Sequence, residues 1–433
     1  MSPPLPKSAA ELIATLEEAR QRTLGLVSDL DDEQLIGPRL AIVNPLLWEI
    51  GHVAWFQEKW SLRHLRGQAP LEDQADSLYD SMAIAHDTRW DLPLFTREGT
   101  LGYMRRVLDS VVEHLDTGPG ELSRDEAYFH LLPLFHEDMH AEAFAYTRQT
   151  HGYPAPAVYG SPETPQPAGP LAGDVEVPGG TFQLGAARDA PFAFDNEKWA
   201  HPVEVAPFRI ARAAVTQGDL RQFVEDGGYQ RRELWGDAGW EWLAGETVQG
   251  PLYWRRDGGG RFERRVFDRW VELEEDRPAL HVNWHEAEAW CRWAGRRLPT
   301  EAEWEMAACG LSAEGSKCTY PWGEEFGCAG RANLDGRAGG TLDVGALSAG
   351  DSPFGCRQML GNVWEWTADD FGPFPGFVPD PYKEYSEPWF GDHKVLRGGC
   401  WVTRFRLLRN TWRNFYQPHR RDVWAGFRTC AVD

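Results

Sequence analysis

Residues 153 to 175 divide this chain. The stretch is rich in proline, glycine and alanine (Tyr153-Pro154-Ala155-Pro156, then Pro162 to Gly173), which favours turns and extended backbone over helix or sheet. Apolar residues follow different periods on its two sides, so one continuous core is excluded. A length of 433 residues likewise calls for at least two domains. The expected boundaries are a helical domain over 1–152, a linker over 153–175 and an α+β domain over 176–433.

Four helices are expected in the first part. Ser8 caps one that runs to about Asp29, with Leu12, Ile13, Leu16 and Ala19 on its apolar side. Asn44-Pro45 reads as a cap followed by proline in the first turn, opening a helix to about His64. A third covers Thr96 to Leu115. The fourth starts at Ser123 with Glu126 three residues on, a capping box, and reaches about Gln149 with Pro133 as an expected kink. Together they suggest a bundle. The second part shows short alternating runs such as Val177 to Gly185, recurrent Gly and Trp, one good helix over Trp284–Gly295 and a shorter one over Glu301–Ala308. Long loops of this kind commonly build sites.

The 44 basic residues face 66 acidic ones, for a net charge of −22. That sign disfavours nucleic acid and anionic membrane surfaces as partners. No apolar run is long enough to span a bilayer, and the first residues lack a signal-peptide core. The seven cysteines, Cys291, Cys309, Cys318, Cys328, Cys356, Cys400 and Cys430, form no C-x-x-C pair. They read as reduced thiols of a cytoplasmic protein. All lie in the second half, so metal chemistry in the first half must use other ligands.

His136 and His140 stand four apart on an expected helix. They project from one face about a turn apart, which is close enough to share a metal. His52 sits on another expected helix, and three neutral imidazoles with open positions suit a metal that also binds substrate and oxygen. Alone, each histidine is equally compatible with core packing or solvation. A second sharp reading is open at this stage. His136-Glu137-Asp138-Met139-His140 matches H-E-x-x-H, in which the glutamate of a zinc protease activates water. Neither a downstream glutamate helix nor a third spaced histidine follows to complete it.

Five runs in the second half carry a family resemblance: Leu298-Pro299-Thr300-Glu301-Ala302-Glu303-Trp304-Glu305, Tyr320-Pro321-Trp322-Gly323, Gln358 to Trp366, Leu396-Arg397-Gly398-Gly399-Cys400-Trp401 and Ala425-Gly426-Phe427-Arg428. They resemble the formylglycine-generating-enzyme, or sulfatase-modifying-factor, domain. The first half looks like a DinB-type four-helix bundle. In this order the two resemble the ergothioneine-type sulfoxide synthases over nearly the whole chain. The resemblance implies a bundle followed by a C-type-lectin-like domain, and Fe(2+) held by His52, His136 and His140, with Glu142 behind them. It thereby displaces the protease reading.

Other residues carry over one at a time. The family's catalytic tyrosine, expected to deliver a proton or an electron, matches Tyr382, with Tyr385 as a substrate contact. A substrate-binding arginine matches Arg89. The segment Arg413 to Asp422 matches the substrate loop, with Asn414 at the amino-acid end of the substrate hercynine and Phe415 against its trimethylammonium. Arg420 and Arg421 belong to the same loop. Members that use γ-glutamylcysteine have a glutamine where this chain has Met139 and an aspartate where it has Tyr416. The segment Ser81 to Leu92 looks most like the selenoneine synthases, which take a selenosugar donor.

The expected function is iron(II)- and O2-dependent bond formation between selenium, or sulfur, and the imidazole carbon of hercynine. Three histidines would leave coordination positions for imidazole, donor and O2, and the metal would lie where the two domains adjoin. The alternatives are a sulfoxide synthase using cysteine or γ-glutamylcysteine, and a non-catalytic ligand-binding module. A sulfatase-modifying oxidase would use a cysteine pair and no bundle, and Cys400 and Cys430 show no matching motif.

Overall fold

The computed structural model describes residue 6 and residues 8–118, 122–160, 167–310 and 317–432. Its contacts divide the chain into two compact units between Val158 and Tyr159.

The first unit is built on four long helices, α1 (Ala9–Val27), α3 (Leu46–Gln57), α5 (Arg97–Thr117) and α6 (Arg124–His151), with two short ones, α2 (Asp32–Ile36) and α4 (Ala75–Tyr79). Ser8 caps α1, and Ser123 with Glu126 forms the capping box of α6, which runs through Pro133 without a break. The expected Asn44 cap is not made. Pro45 occupies the cap position with no side-chain bond, because the Asn44 Oδ1 accepts instead from Arg89 Nη1 at 2.6 Å. Every residue of α3 is buried, including the polar Glu49, His52 and Gln57, as befits a mostly apolar helix packed on several sides. It lies against α5 and α6 and continues into a π-helical turn, Glu58–His64. The two short helices escape a reading by sequence pattern because five residues are too few to show a period.

Among the described residues the second unit holds four helices, α7 (Gln217–Glu225), α8 (Asp237–Gly245), α9 (Trp284–Ala294) and α10 (Glu301–Cys309). The first two correct the expectation of only one good helix and a shorter companion. Both are nine residues long and contain glycine, which lowers helix propensity and blurs the pattern. One four-stranded sheet runs in the order Asn414–Tyr416, Lys394–Arg397, Trp364–Asp370, Ala425–Phe427. The first two pairings are antiparallel and the last is parallel. The stretch expected as a linker is partly built into this unit. The Tyr159 ring lies 5.1 Å from that of Trp401, and the Gly160 N–H donates to the Gly336 carbonyl. Within that stretch, residues 161–166 lie outside the described residues.

The family-like runs are knitted together by buried charge. Arg397, on the sheet, donates to Glu301 at 2.9 Å and to Glu305, both on α10. Arg413 forks onto Glu301 at 2.6 and 3.1 Å. Glu365 accepts from Trp304 Nε1 at 2.7 Å and from both sides of the Arg428 fork. Buried charges persist only when paired and hydrogen-bonded, so these residue types belong together. The network fixes Arg413, and with it the strand Asn414–Tyr416 that follows.

Candidate metal centre and substrate residues

The helical unit brings His52, on α3, together with His136 and His140, on α6. One ligand atom from each lies within 4.8 Å of the others. The His52 Nδ1–H donates to the Tyr79 carbonyl at 2.8 Å. The His140 Nδ1–H donates to Glu49 Oε1 at 2.6 Å. Both bonds fix the tautomer and leave Nε2 as the ligating atom, the usual division of labour in a metal-binding histidine. His140 Nε2 is 3.2 Å from His136 Nε2. At a metal–nitrogen distance of about 2.1 Å that separation corresponds to an N–metal–N angle of about 100°, which fits two neighbouring ligands of one ion. Burial holds His52 and His136 well below the ordinary imidazole range, so both are neutral, as ligands must be.

Glycine at position 51 is needed for this arrangement. A Cβ there would sit 2.3 Å from the Tyr79 ring, pushing away the residue whose carbonyl orients His52. Around the histidines, Trp48 stacks on His52 (4.8 Å, 10°) and Phe56 stacks on His136 (3.7 Å, 11°).

Glu137 decides between the two metal readings. Its carboxylate accepts from Arg20 Nε at 2.9 Å and Nη2 at 3.2 Å and is buried in that pair. A group tied to Arg20 is not available to activate water, so the zinc-protease arrangement is not formed. Glu142 is buried rather than on a solvated face. Met139 is half-buried beside His140.

Glu49 is the residue the sequence reading missed. It is 1% exposed and carries the proton-accepting oxygen for His140. The signal was present, since Glu49 and His52 are three apart on one helix face, in a segment used only for its histidine. Glu49→Gln should weaken metal binding by about 10- to 100-fold. A competition titration against a chelator, read by cobalt(II) absorption, measures it, and an unchanged affinity would remove Glu49 from the site.

Arg89 is buried, with Nη1 on Asn44 and Nη2 on the Ser81 carbonyl at 3.2 Å, and its guanidinium lies 4.1 Å above the Trp48 ring. Burial lowers it to about 10, so it stays charged at neutral pH.

The second unit brings another set together. Tyr382 and Tyr385 have ring centroids 6.2 Å apart. Tyr385 stacks on Phe194 at 4.4 Å and meets Phe415 at 5.9 Å, and Phe415 stacks on Phe371 at 4.0 Å. The loop bearing the tyrosines is anchored by Ser386, whose hydroxyl donates to buried Asp195, and burial pushes Asp195 up to about 6. Asn414, Phe415 and Tyr416 form a strand. Alternation sends Phe415 to one face and its two neighbours to the other. The Asn414 Oδ1 accepts from the Phe415 N–H at 2.9 Å. Arg420 lies 5.5 Å from the Tyr416 ring and is paired with Asp422 at 2.7 Å. Arg421 is paired with Glu286 at 3.2 Å. The seven cysteines are thiols outside any disulfide. No helix among the described residues is long and apolar enough to cross a membrane.

Comparison with known proteins gives the same division. Residues 161–432 match the sulfatase-modifying factor enzyme 1-like domain, and residues 15–144 match the DinB superfamily. The chain is 38% identical to the hercynine oxygenase of Mycolicibacterium thermoresistibile, covering 97% of this chain and 94% of that one. It is also 38% identical to the hercynine oxygenase of Mycobacterium tuberculosis, over 97% of this chain and 98% of that one. The formylglycine-generating enzyme of Streptomyces coelicolor is 32% identical over 65% of this chain and 95% of its own.

Proposed function

This chain belongs to the hercynine oxygenase family of ergothioneine-type sulfoxide synthases, and from that premise we propose that it is a mononuclear non-heme iron(II) oxidoreductase that joins a chalcogen to the imidazole carbon of hercynine. The observation that carries the reading is the convergence of His52, His136 and His140 in a DinB-type unit. Iron(II) bound there would supply a place for O2 and hold the reactants in contact, which converts a multi-body encounter into an intramolecular step. Glu49 and the Tyr79 carbonyl orient two of the three imidazoles. Phe415 offers a ring face to a trimethylammonium group. Asn414 and Tyr385 contact hercynine, and Tyr382 holds the proton or electron needed at the reacting atoms. Seven thiols outside disulfides suit a reducing cytoplasm.

For the donor we favour a selenosugar, with cysteine or γ-glutamylcysteine as the alternative. Tyr416 gives a hydroxyl and a ring face on which a sugar can lie, and Met139 offers an apolar, polarizable wall. Arg420 and Arg421 already have carboxylate partners, which leaves them less suited to hold the carboxylates of a dipeptide. Anaerobic loading with iron(II), followed by O2, hercynine and each donor separately, tests the reading by product mass. We expect the selenosugar to give the highest kcat/KM and γ-glutamylcysteine little product. Tyr416→Asp should impair selenosugar use more than hercynine binding. Faster turnover with either thiol would overturn the donor assignment while leaving the iron enzyme; no oxidised hercynine with any donor would overturn the function.

A further inference from the structure

Two tryptophans flank the ligand His52, and their surroundings differ. Trp48 stacks on it at 4.8 Å and Trp55 at 5.7 Å, both rings being buried. The Trp48 Nε1–H donates to a neutral acceptor, the Leu78 carbonyl, at 2.7 Å. Its face carries the Arg89 guanidinium at 4.1 Å, which donates to neutral oxygens of Asn44, Ser81 and Ile84. A cation over the ring disfavours a positive charge on the indole. Trp55 is placed differently. Its Nε1–H donates to the Asp76 carboxylate at 2.7 Å. The Lys59 ammonium over its ring, at 4.6 Å, is itself 3.6 Å from Asp80. Asp76 also pairs with Arg63, and its side chain is 54% exposed. The chain of contacts therefore runs from the metal ligand through an indole to a carboxylate at the surface. On the other side, the ring stacked on His136 is Phe56, which lacks the electron-rich indole that makes tryptophan a ready donor.

We propose that Trp55 is a sacrificial electron donor for the metal centre: when O2 is activated there without hercynine or the chalcogen donor, Trp55 gives one electron to the oxidant so formed, and Asp76 balances the positive charge left on the indole. This rests on the iron reading above. The oxidant gains that electron, the indole becomes a one-electron-oxidised radical cation, and its N–H proton stays in the bond to Asp76. A thiol from solution returns the electron and restores Trp55. Where no thiol is present, the radical cation gives up a second electron to the same oxidant, water adds to the ring, two protons leave to solvent and the indole keeps one oxygen. The ligand histidines are spared in both cases. Asp76 is held down to about 2 by Arg63 and Trp55, so it remains an anion throughout the neutral range.

The test uses the full chain loaded with iron(II), exposed to O2 without either organic substrate and without thiol, then mapped by peptide mass spectrometry. A second arm oxidises the metal-free protein with a photogenerated ruthenium(III) polypyridyl complex, which needs no iron. The expected result is oxygen added to Trp55 before Trp48 in both arms. Asp76→Asn should lower Trp55 modification severalfold in both arms and move it to Trp48. Trp55→Phe should lose its iron severalfold faster under O2, with oxygen on the His52, His136 and His140 peptides. Equal modification of the two tryptophans in the unaltered chain, or an Asp76→Asn protein that behaves like it, overturns the proposal. So does an iron-loaded chain in which O2 leaves both indoles untouched. Metal content and product formation, measured separately, decide the iron reading itself.

Discussion

His140→Ala should lose the metal and turnover together. Both nitrogens of this imidazole have a place in the site: Nδ1 is bonded to Glu49, and Nε2, beside the Nε2 of His136, is the atom that would ligate the metal. Alanine removes a ligand outright and leaves the buried Glu49 side chain without the imidazole N–H it accepts, so the site is both incomplete and left with an unsatisfied polar group. Changes to groups behind a ligand already cost up to about 100-fold in affinity, and removal of the ligand itself should exceed that. Metal analysis after anaerobic loading, with hercynine oxidation assayed on the same sample, checks the result. Glu137→Gln is the contrast. In a zinc protease that change would destroy the site, but here Glu137 faces Arg20, and the metal should remain. A His140→Ala protein that binds iron(II) as the unaltered chain does would remove the three-histidine centre from consideration.

The histidine pair was legible because helical spacing is a geometric statement, in which residues four apart share a face whatever surrounds them. His52 was not legible from spacing, since it comes from a different helix and its approach to the pair depends on how α3 packs on α6. The family resemblance supplied it. Glu49 was hidden for a further reason: a glutamate on a helix most often faces solvent, and only the packing of α3 on all sides makes this one buried. Asn44 shows the opposite failure. Its local sequence is a good helix cap, but Arg89, 45 residues on, takes the carboxamide, a tertiary contact overriding a local preference. In the second unit the α+β character could be read from turn residues and short runs, while the glycine-containing helices α7 and α8 could not. The shared runs were visible as strings, but their meaning as one ion network depends on pairings between residues far apart in sequence.

That network yields the second large effect. Arg413→Met should destabilise the second unit by about 3–5 kcal/mol, the usual cost of removing one member of a buried ion pair. Arg413 is 2% exposed and places all three of its nitrogens: Nε and Nη2 on Glu301, Nη1 on the Asn196 and Gly372 carbonyls at 2.7 and 3.1 Å. Methionine matches much of the side-chain stem but removes the donor to the buried Asn196 carbonyl, to the half-buried Gly372 carbonyl and to one side of Glu301. Arg397 still donates to Glu301, which places the expected cost toward the lower end of the range. Adding Glu301→Gln should cost less in the Arg413→Met background than in the unaltered chain, because the two residues act as one unit. Urea unfolding followed by tryptophan fluorescence reads the change. Because the strand Asn414–Tyr416 begins at the next residue, hercynine KM should rise in the same variant while metal content, set in the helical unit, stays constant. A loss below about 1 kcal/mol would place this pair with exposed ones, and a strict sum of the two single costs would show that Arg413 and Glu301 do not act together.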